Sequence, residues 1–200
     1  MASIAIATED ELSEAIVLRL VSEVGQPHDE VLKLRRGGDG YLKSKMGSWR
    51  QIAARQVMIV LTDLDRAKCL VEFRSRWIAD GPIPSRLVFR IAVREVESWA
   101  LADHDAMRKL IGAKGKLPIN PDTLSNPKQT LLAFGQAVPK EIRDDLVKQI
   151  DGQLRPGTGY NARLVHWINT SWSPVRAASR SPSLAKARVR IQEAVANFGS

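Results

Sequence analysis

Residues 56–62 read QVMIVLT, and they are followed at once by Asp63-Leu64-Asp65. Between Gln56 and Thr62 the run is apolar, and it is rich in β-branched side chains. Such a composition is typical of the central strand of a parallel sheet, which is buried on both of its faces. The stretch therefore predicts a buried strand that ends directly in two acidic residues.

On either side of this run, predicted strands and helices alternate along the chain. Further short apolar runs predict strands at about residues 3–8, 30–35 and 87–93. Amphipathic segments predict helices at about residues 9–24, 41–55, 69–79 and 95–102. Because crossovers between parallel strands are right-handed, this alternation predicts an α/β fold. We expect a mostly parallel four-stranded sheet with helices on both faces.

The second half of the chain shows helical patterns and no convincing strand. The patterns occupy residues 104–112, 127–137, 139–150, 161–170 and 183–198, with prolines in the intervening loops. We therefore expect an α/β domain over residues 1–103 and a helical C-terminal extension over residues 104–200 that packs on it.

Composition favours a cytoplasmic protein. No apolar run approaches the roughly 20 residues that a membrane span needs, and the first residues, MASIAIATEDE, lack the basic start of a signal peptide. The single cysteine, Cys69, excludes an internal disulfide and suits a reducing compartment. We expect no contact with a membrane.

The charge balance favours a polyanionic partner. The formal net charge is +8, and the last quarter of the chain, from Asp151 onward, holds seven Lys or Arg against two acids. Such a surplus attracts nucleic acid, since Lys and Arg replace the counterions of the phosphate backbone. The alternative is that the basic excess serves solubility alone.

Acidic residues follow three of the four predicted strands. Glu9 follows the first, Asp63 and Asp65 follow the third, and Glu95 and Glu97 follow the fourth. The carboxyl ends of parallel strands share one edge of the sheet, where ligands bind. Clustered carboxylates repel one another unless a cation compensates them, and oxygen ligands suit Mg²⁺ or Mn²⁺. The alternative is that each acid only stabilises a helix start, which is how we interpret Glu11 and Glu14.

The pattern resembles the TOPRIM family, which includes topoisomerases, bacterial-type primases and nucleases. That family has a Glu just after the first strand and an Asp-x-Asp after the third, matched here by residues 4–14 (IAIATEDELSE) and 57–65 (VMIVLTDLD). Residues 91–103 (IAVREVESWALAD) are also similar to the acidic Glu-x-Trp helix of a smaller TOPRIM-like group. Genes of that group often lie beside ATPase genes in presumed phage-defence loci.

The resemblance implies a Mg²⁺-dependent nuclease, with DNA favoured over RNA and an ATPase as partner. It implies that Asp63 and Asp65 hold the metal, that Glu9 is a metal ligand or a general acid or base, and that Glu97 or Glu95 completes the site. Most members place Gly after the first Glu, whereas this chain has Asp10. This departure leaves open whether Glu9 or Glu11 occupies the motif position.

Two other function classes remain open on the sequence. The fold could serve as a non-catalytic module that binds DNA or protein, with a weakened acidic site. A phosphatase-like hydrolase with an Asp-x-Asp nucleophile fits less well, because that motif normally follows the first core strand and here follows the third.

Overall fold

The computed structural model describes residues 3–25, 31–35, 38–79, 81–112 and 115–197. It divides into two compact units. The first unit contains the chain up to Ala92 together with the residues from Lys186 onward, and the second contains Val93–Ala185. The first unit is therefore built from both the beginning and the end of the chain.

The first unit contains a four-stranded parallel sheet. Its strands are β1 (Ile4–Ala7), β2 (Leu32–Lys33), β3 (Val57–Asp63) and β4 (Leu87–Ala92), in the order β2-β1-β3-β4. All three neighbouring pairs are parallel. Every residue of β1 and all but the last of β3 are buried. Since successive side chains point to opposite faces, both faces of these strands are covered. The predicted α/β fold is confirmed.

The strand order creates a crevice between β1 and β3. From β1 the chain goes to β2 on one side, and β3 and β4 then lie on the other side. In an open parallel sheet, ligands bind outside the carboxyl ends of the strands at the point where the winding direction reverses. In this sheet that point lies where β1 and β3 end.

Four helices of the first unit connect these strands. They are α1 (Glu11–Ser22), α2 (Asp39–Ser44), α3 (Met46–Ala53) and α4 (Leu70–Trp77). The single helix predicted over residues 41–55 is thus two helices that meet at Lys45, whose backbone is not helical (φ −98°, ψ 7°). The indole of Trp49 donates a hydrogen bond to the Leu42 carbonyl at 2.9 Å, which links the two helices.

The second unit is mostly helical. Its elements are α5 (Glu97–Ala102), α6 (His104–Ile111), a 3₁₀ turn (Pro121–Thr123), α7 (Pro127–Gly135), α8 (Lys140–Leu146), α9 (Tyr160–Thr170) and α10 (Pro174–Ala178). Helix α11 (Pro182–Ala196) begins in this unit and ends in the first. Every residue of α5 is buried, so this short helix is the centre of the second unit.

The helix predicted over residues 139–150 is wrong in its second part. After α8 the chain forms an antiparallel hairpin of β5 (Val147–Ile150) and β6 (Gln153–Pro156). Asp151 and Gly152 form its two-residue loop with positive φ angles of 50° and 74°. Asp-Gly is favoured in such hairpin loops because both positions need positive φ, and Gly adopts it without steric cost.

The helices are short for membrane spans. The 15 residues of α11 fall below the roughly 20 that a bilayer core requires. In the part of the chain that the structure describes, no helix is long and apolar enough to cross a membrane.

Candidate acidic site at the carboxyl ends of β1 and β3

The Glu9 side chain reaches across to the end of β3. Glu9 lies between β1 and α1, and its Oε1 accepts hydrogen bonds from the Thr62 hydroxyl at 2.5 Å and from the Asp63 backbone N–H at 3.1 Å. Both donors belong to the last two residues of β3. These two bonds hold the carboxylate at the crevice between the two central strands.

The residues after Glu9 have other roles. Asp10 is the N-cap of α1, and its carboxylate accepts a hydrogen bond from the Ser13 N–H at 2.8 Å. Glu11 and Glu14 lie in the first turn, as predicted, and form ion pairs with Arg35 at 3.1 and 3.8 Å. It is therefore Glu9, and not Glu11, that contacts the end of β3. Asp10, at the position where the TOPRIM pattern has glycine, caps the start of this helix.

The electrostatic environment of Glu9 disfavours its charge. Burial raises the pKa of this carboxyl group, and the negative charges of Asp65 and Asp39 raise it further. The hydrogen bonds from Thr62 and from the Asp63 N–H act in the opposite direction without cancelling the rise. Glu9 therefore holds a proton at higher pH than an ordinary glutamate does.

Asp63 and Asp65 lie on either side of the buried Leu64. Asp63 is the half-buried last residue of β3, and the Leu64 N–H continues the pairing by donating to the Ala92 carbonyl at 2.9 Å. Asp65 is exposed and has a positive φ of 49°, a conformation that Asp tolerates better than most residues. The chain therefore turns away from the sheet at Asp65, while its charge still acts on Glu9.

Sequence reasoning missed two residues of this cluster. Asp39 is the first residue of α2, after β2, so an acid follows all four strands rather than three. Asp39 follows the second predicted strand within a few residues, so an acid in this position is a usable sequence signal. The sequence predicts Thr62 only as the last residue of a strand, because nothing local to it indicates a hydrogen bond to Glu9.

The donor set of this cluster fits a hard cation. Glu9, Asp39, Asp63 and Asp65 offer only oxygen, and the like charges around Glu9 are what a cation offsets. No group of three or more His, Cys, Asp or Glu side chains in the described ranges is arranged to hold a metal by itself. Mg²⁺ does not need such a group, since it commonly keeps several waters and takes one or two carboxylates plus substrate oxygens.

Glu95 and Glu97 belong to the second unit, where other residues engage them. Oε1 of Glu97 accepts a hydrogen bond from the Tyr160 hydroxyl at 3.0 Å and lies 3.2 Å from the Lys128 ammonium. Only 1% of Glu97 is exposed. Glu95 accepts from the backbone N–H of Lys128 at 2.8 Å. Both acids therefore stabilise the start of α7, and a role for Glu97 in the acidic site stays a prediction.

Comparisons of the chain with protein-family models, with curated proteins and with solved structures found no match in any of the three. Assignment to the TOPRIM family therefore stays a prediction. It rests on the two motifs around Glu9 and Asp63.

Proposed function

We propose that this protein is a Mg²⁺-dependent nuclease that cleaves phosphodiester bonds and uses the acidic cluster of Glu9, Asp63 and Asp65. The observation that carries the proposal is the contact of Glu9 with Thr62 and Asp63 at the end of β3. Two separate segments thereby place acids at the edge where parallel sheets bind their ligands.

Each residue has a role that follows from its environment. Asp63 and Asp65 would hold the cation, which would neutralise charge on the phosphodiester oxygens. Glu9, with its raised pKa, is suited to accept or donate a proton nearer neutral pH than an ordinary glutamate. The Thr62 hydroxyl fixes the orientation of the Glu9 carboxylate. Asp39 adds negative charge, which favours cation binding.

Basic residues next to the acids favour a nucleic acid as substrate. Arg66 and Lys68 follow Asp65 one and three residues later, and both are exposed. In this proposal they would contact backbone phosphates, which the carboxylates by themselves repel. The net charge of +8 adds a general attraction for polyanions. We propose DNA rather than RNA, on the resemblance alone.

The proposed setting is antiviral defence in the cytoplasm together with a partner ATPase. It also rests on the TOPRIM resemblance alone. The purified chain is therefore to be assayed both alone and with any ATPase encoded beside it.

The decisive experiment measures cleavage of double-stranded DNA and of structured RNA with Mg²⁺, with Mn²⁺ and with a chelator. Wild type is expected to cleave only with the cation. Glu9→Gln and Asp65→Asn should reduce cleavage by about 10²-fold or more, the usual scale of a lost acid–base or charge-stabilising group. Binding measured in parallel should persist in both variants.

Glu11→Gln is the matched control. It makes the same chemical change two residues from Glu9, at a side chain that pairs with Arg35. Cleavage reduced equally by Glu9→Gln and Glu11→Gln would contradict the assignment of Glu9. Salt-sensitive binding without cleavage under any condition would leave the non-catalytic binding module as the function.

A further inference from the structure

A second, positively charged site lies at the outer strand of the sheet in the first unit. β4 is an edge strand, and a cavity of about 180 Å³ opens beside it. Three arginines from separate segments line this cavity: Arg74 of α4, Arg90 of β4 and Arg190 of α11. None of the described residues that line it is acidic.

The three guanidinium groups are poorly compensated by the protein itself. Among the described residues, only Arg190 forms an ion pair, with Glu193. Nε of Arg90 is buried, and no acceptor in the described part of the chain takes its hydrogen bond. A buried donor without an acceptor is uncommon in folded proteins and calls for an explanation.

The charges around the cavity also favour the binding of an anion. Burial lowers the pKa of Arg90, and the charges of Arg190 and Arg74 lower it further. A guanidinium nevertheless stays protonated at neutral pH, so the three like charges repel one another. An anion between the arginines would remove the repulsion and accept the orphaned hydrogen bond.

The wall of the cavity is held in place. Arg50 donates hydrogen bonds to the carbonyls of Pro82 at 2.5 Å and Gly81 at 3.0 Å, which anchors the segment leading to β4. The next turn is closed by the Leu87 N–H donating to the Pro84 carbonyl at 2.9 Å. The cavity residues Pro84 and Ser85 lie within this segment, so these hydrogen bonds fix part of the cavity wall.

We propose that this arginine-lined cavity binds a dianionic phosphate group. Guanidinium forks match phosphate oxygens in geometry as well as in charge. Arg74 and Arg90 lack an ion pair among the described residues, and the two negative charges of a dianionic phosphate would neutralise these two arginines. A volume of 180 Å³ is below the roughly 300–1,000 Å³ of pockets that enclose drug-sized ligands. The phosphate is therefore free inorganic phosphate or the terminal phosphate of a polynucleotide.

The inference is independent of the acidic site, because none of the arginines contributes to that cluster. The test uses the whole chain and begins with inorganic phosphate as probe, compared with chloride at equal ionic strength. Arg74→Gln and Arg190→Gln change exposed side chains and should fold. Arg76→Gln is the matched control, since it removes the same charge from an exposed position of α4 that does not line the cavity.

Phosphate should raise the melting temperature of wild type and of Arg76→Gln more than chloride does. Each cavity variant should bind it about tenfold or more weakly, as expected for loss of a charge-assisted hydrogen bond. In the second arm, a 5′-phosphorylated oligonucleotide is compared with its 5′-hydroxyl counterpart. A preference for the phosphorylated end that Arg74→Gln abolishes, without an effect of free phosphate, would assign the site to polynucleotide ends.

Two results would overturn the proposal. One is an effect of phosphate no larger than that of chloride together with no preference for a 5′-phosphate. The other is a loss of binding in Arg76→Gln equal to that in the cavity variants, which would show a general effect of net charge.

Discussion

Two buried acids of the second unit, Asp103 and Glu97, differ from Glu9 of the first unit in their partners. In the second unit, the fully buried Asp103 accepts hydrogen bonds from Arg176 at 2.9 and 2.7 Å and from the Ser173 N–H at 2.7 Å. Glu97 likewise meets Lys128 and Tyr160. In the first unit, Glu9 accepts only from a hydroxyl and a backbone N–H, and no basic side chain in the described ranges forms an ion pair with it.

This difference separates structural carboxylates from a candidate functional one. A buried acid with a fixed cation is already compensated, and removing it leaves the cation without its partner. An acid among other acids is compensated only when a proton or an added cation arrives. The partners, rather than the residue type or the degree of burial, therefore indicate which acids are available for chemistry.

The strongest test of a structural carboxylate is the substitution Asp103→Asn. This change removes the charge that pairs with Arg176, and the amide cannot satisfy all the donors that the carboxylate serves. We expect the free energy of unfolding to fall by about 3 kcal/mol, measured by urea denaturation. Asp105→Asn is the control, because Asp105 is exposed and lies 3.9 Å from the same arginine. Equal effects of the two changes would contradict the structural role of Asp103.

The strongest test of Glu9 as the candidate functional carboxylate is the binding of a cation in the absence of substrate. Mn²⁺ at about 100 times its dissociation constant should stabilise the folded protein by about 2.7 kcal/mol, which corresponds to several degrees in melting temperature. Glu9→Gln and Asp63→Asn should abolish the gain, whereas Glu11→Gln should keep it. The same gain in all variants would mean that the cation binds elsewhere.

Glu97→Gln should behave differently from Glu9→Gln when no cation is present. Loss of the Glu97 charge removes the carboxylate that pairs with the partly exposed Lys128 ammonium, and solvent screening reduces the cost. We expect destabilisation by about 2 kcal/mol, measured by urea denaturation in a chelating buffer. Glu9→Gln should not destabilise, because the amide oxygen keeps both hydrogen bonds. A similar loss in both variants would remove the distinction between the two acids.

The smallest effect concerns pH. Because folding raises the pKa of Glu9, the folded state binds this proton more tightly than the unfolded state does. The associated stability is present below the unfolded pKa of about 4.3 and is lost as pH rises through the folded pKa. Without a cation, Glu9→Gln should therefore gain stability relative to wild type as pH rises over that interval. If the difference in stability between Glu9→Gln and wild type stays constant from pH 4 to 8, the raised pKa of Glu9 is contradicted.

Local sequence patterns predicted much of the first unit. The run QVMIVLT forms β3 as expected, and Asp63 ends it. The single helix predicted over residues 41–55 is wrong at Lys45, where the chain forms two helices joined by the contact of Trp49 with the Leu42 carbonyl. The β5–β6 hairpin was missed although Asp151-Gly152 is a strong turn signal, since the preceding residues also suit a helix. Periodicity alone does not separate the two for such a short segment.

The sequence by itself determined the parallel sheet and the acids at its carboxyl edge, because apolar runs and the residues that end them are local properties. Only the tertiary structure decided which acids meet. It shows Glu9 rather than Glu11 at the end of β3, adds Asp39, engages Glu97 with Lys128 and unites three arginines from distant segments beside β4. These contacts join residues far apart in the chain. Their energies depend on burial and on neighbouring charges, which exist only once the chain has packed.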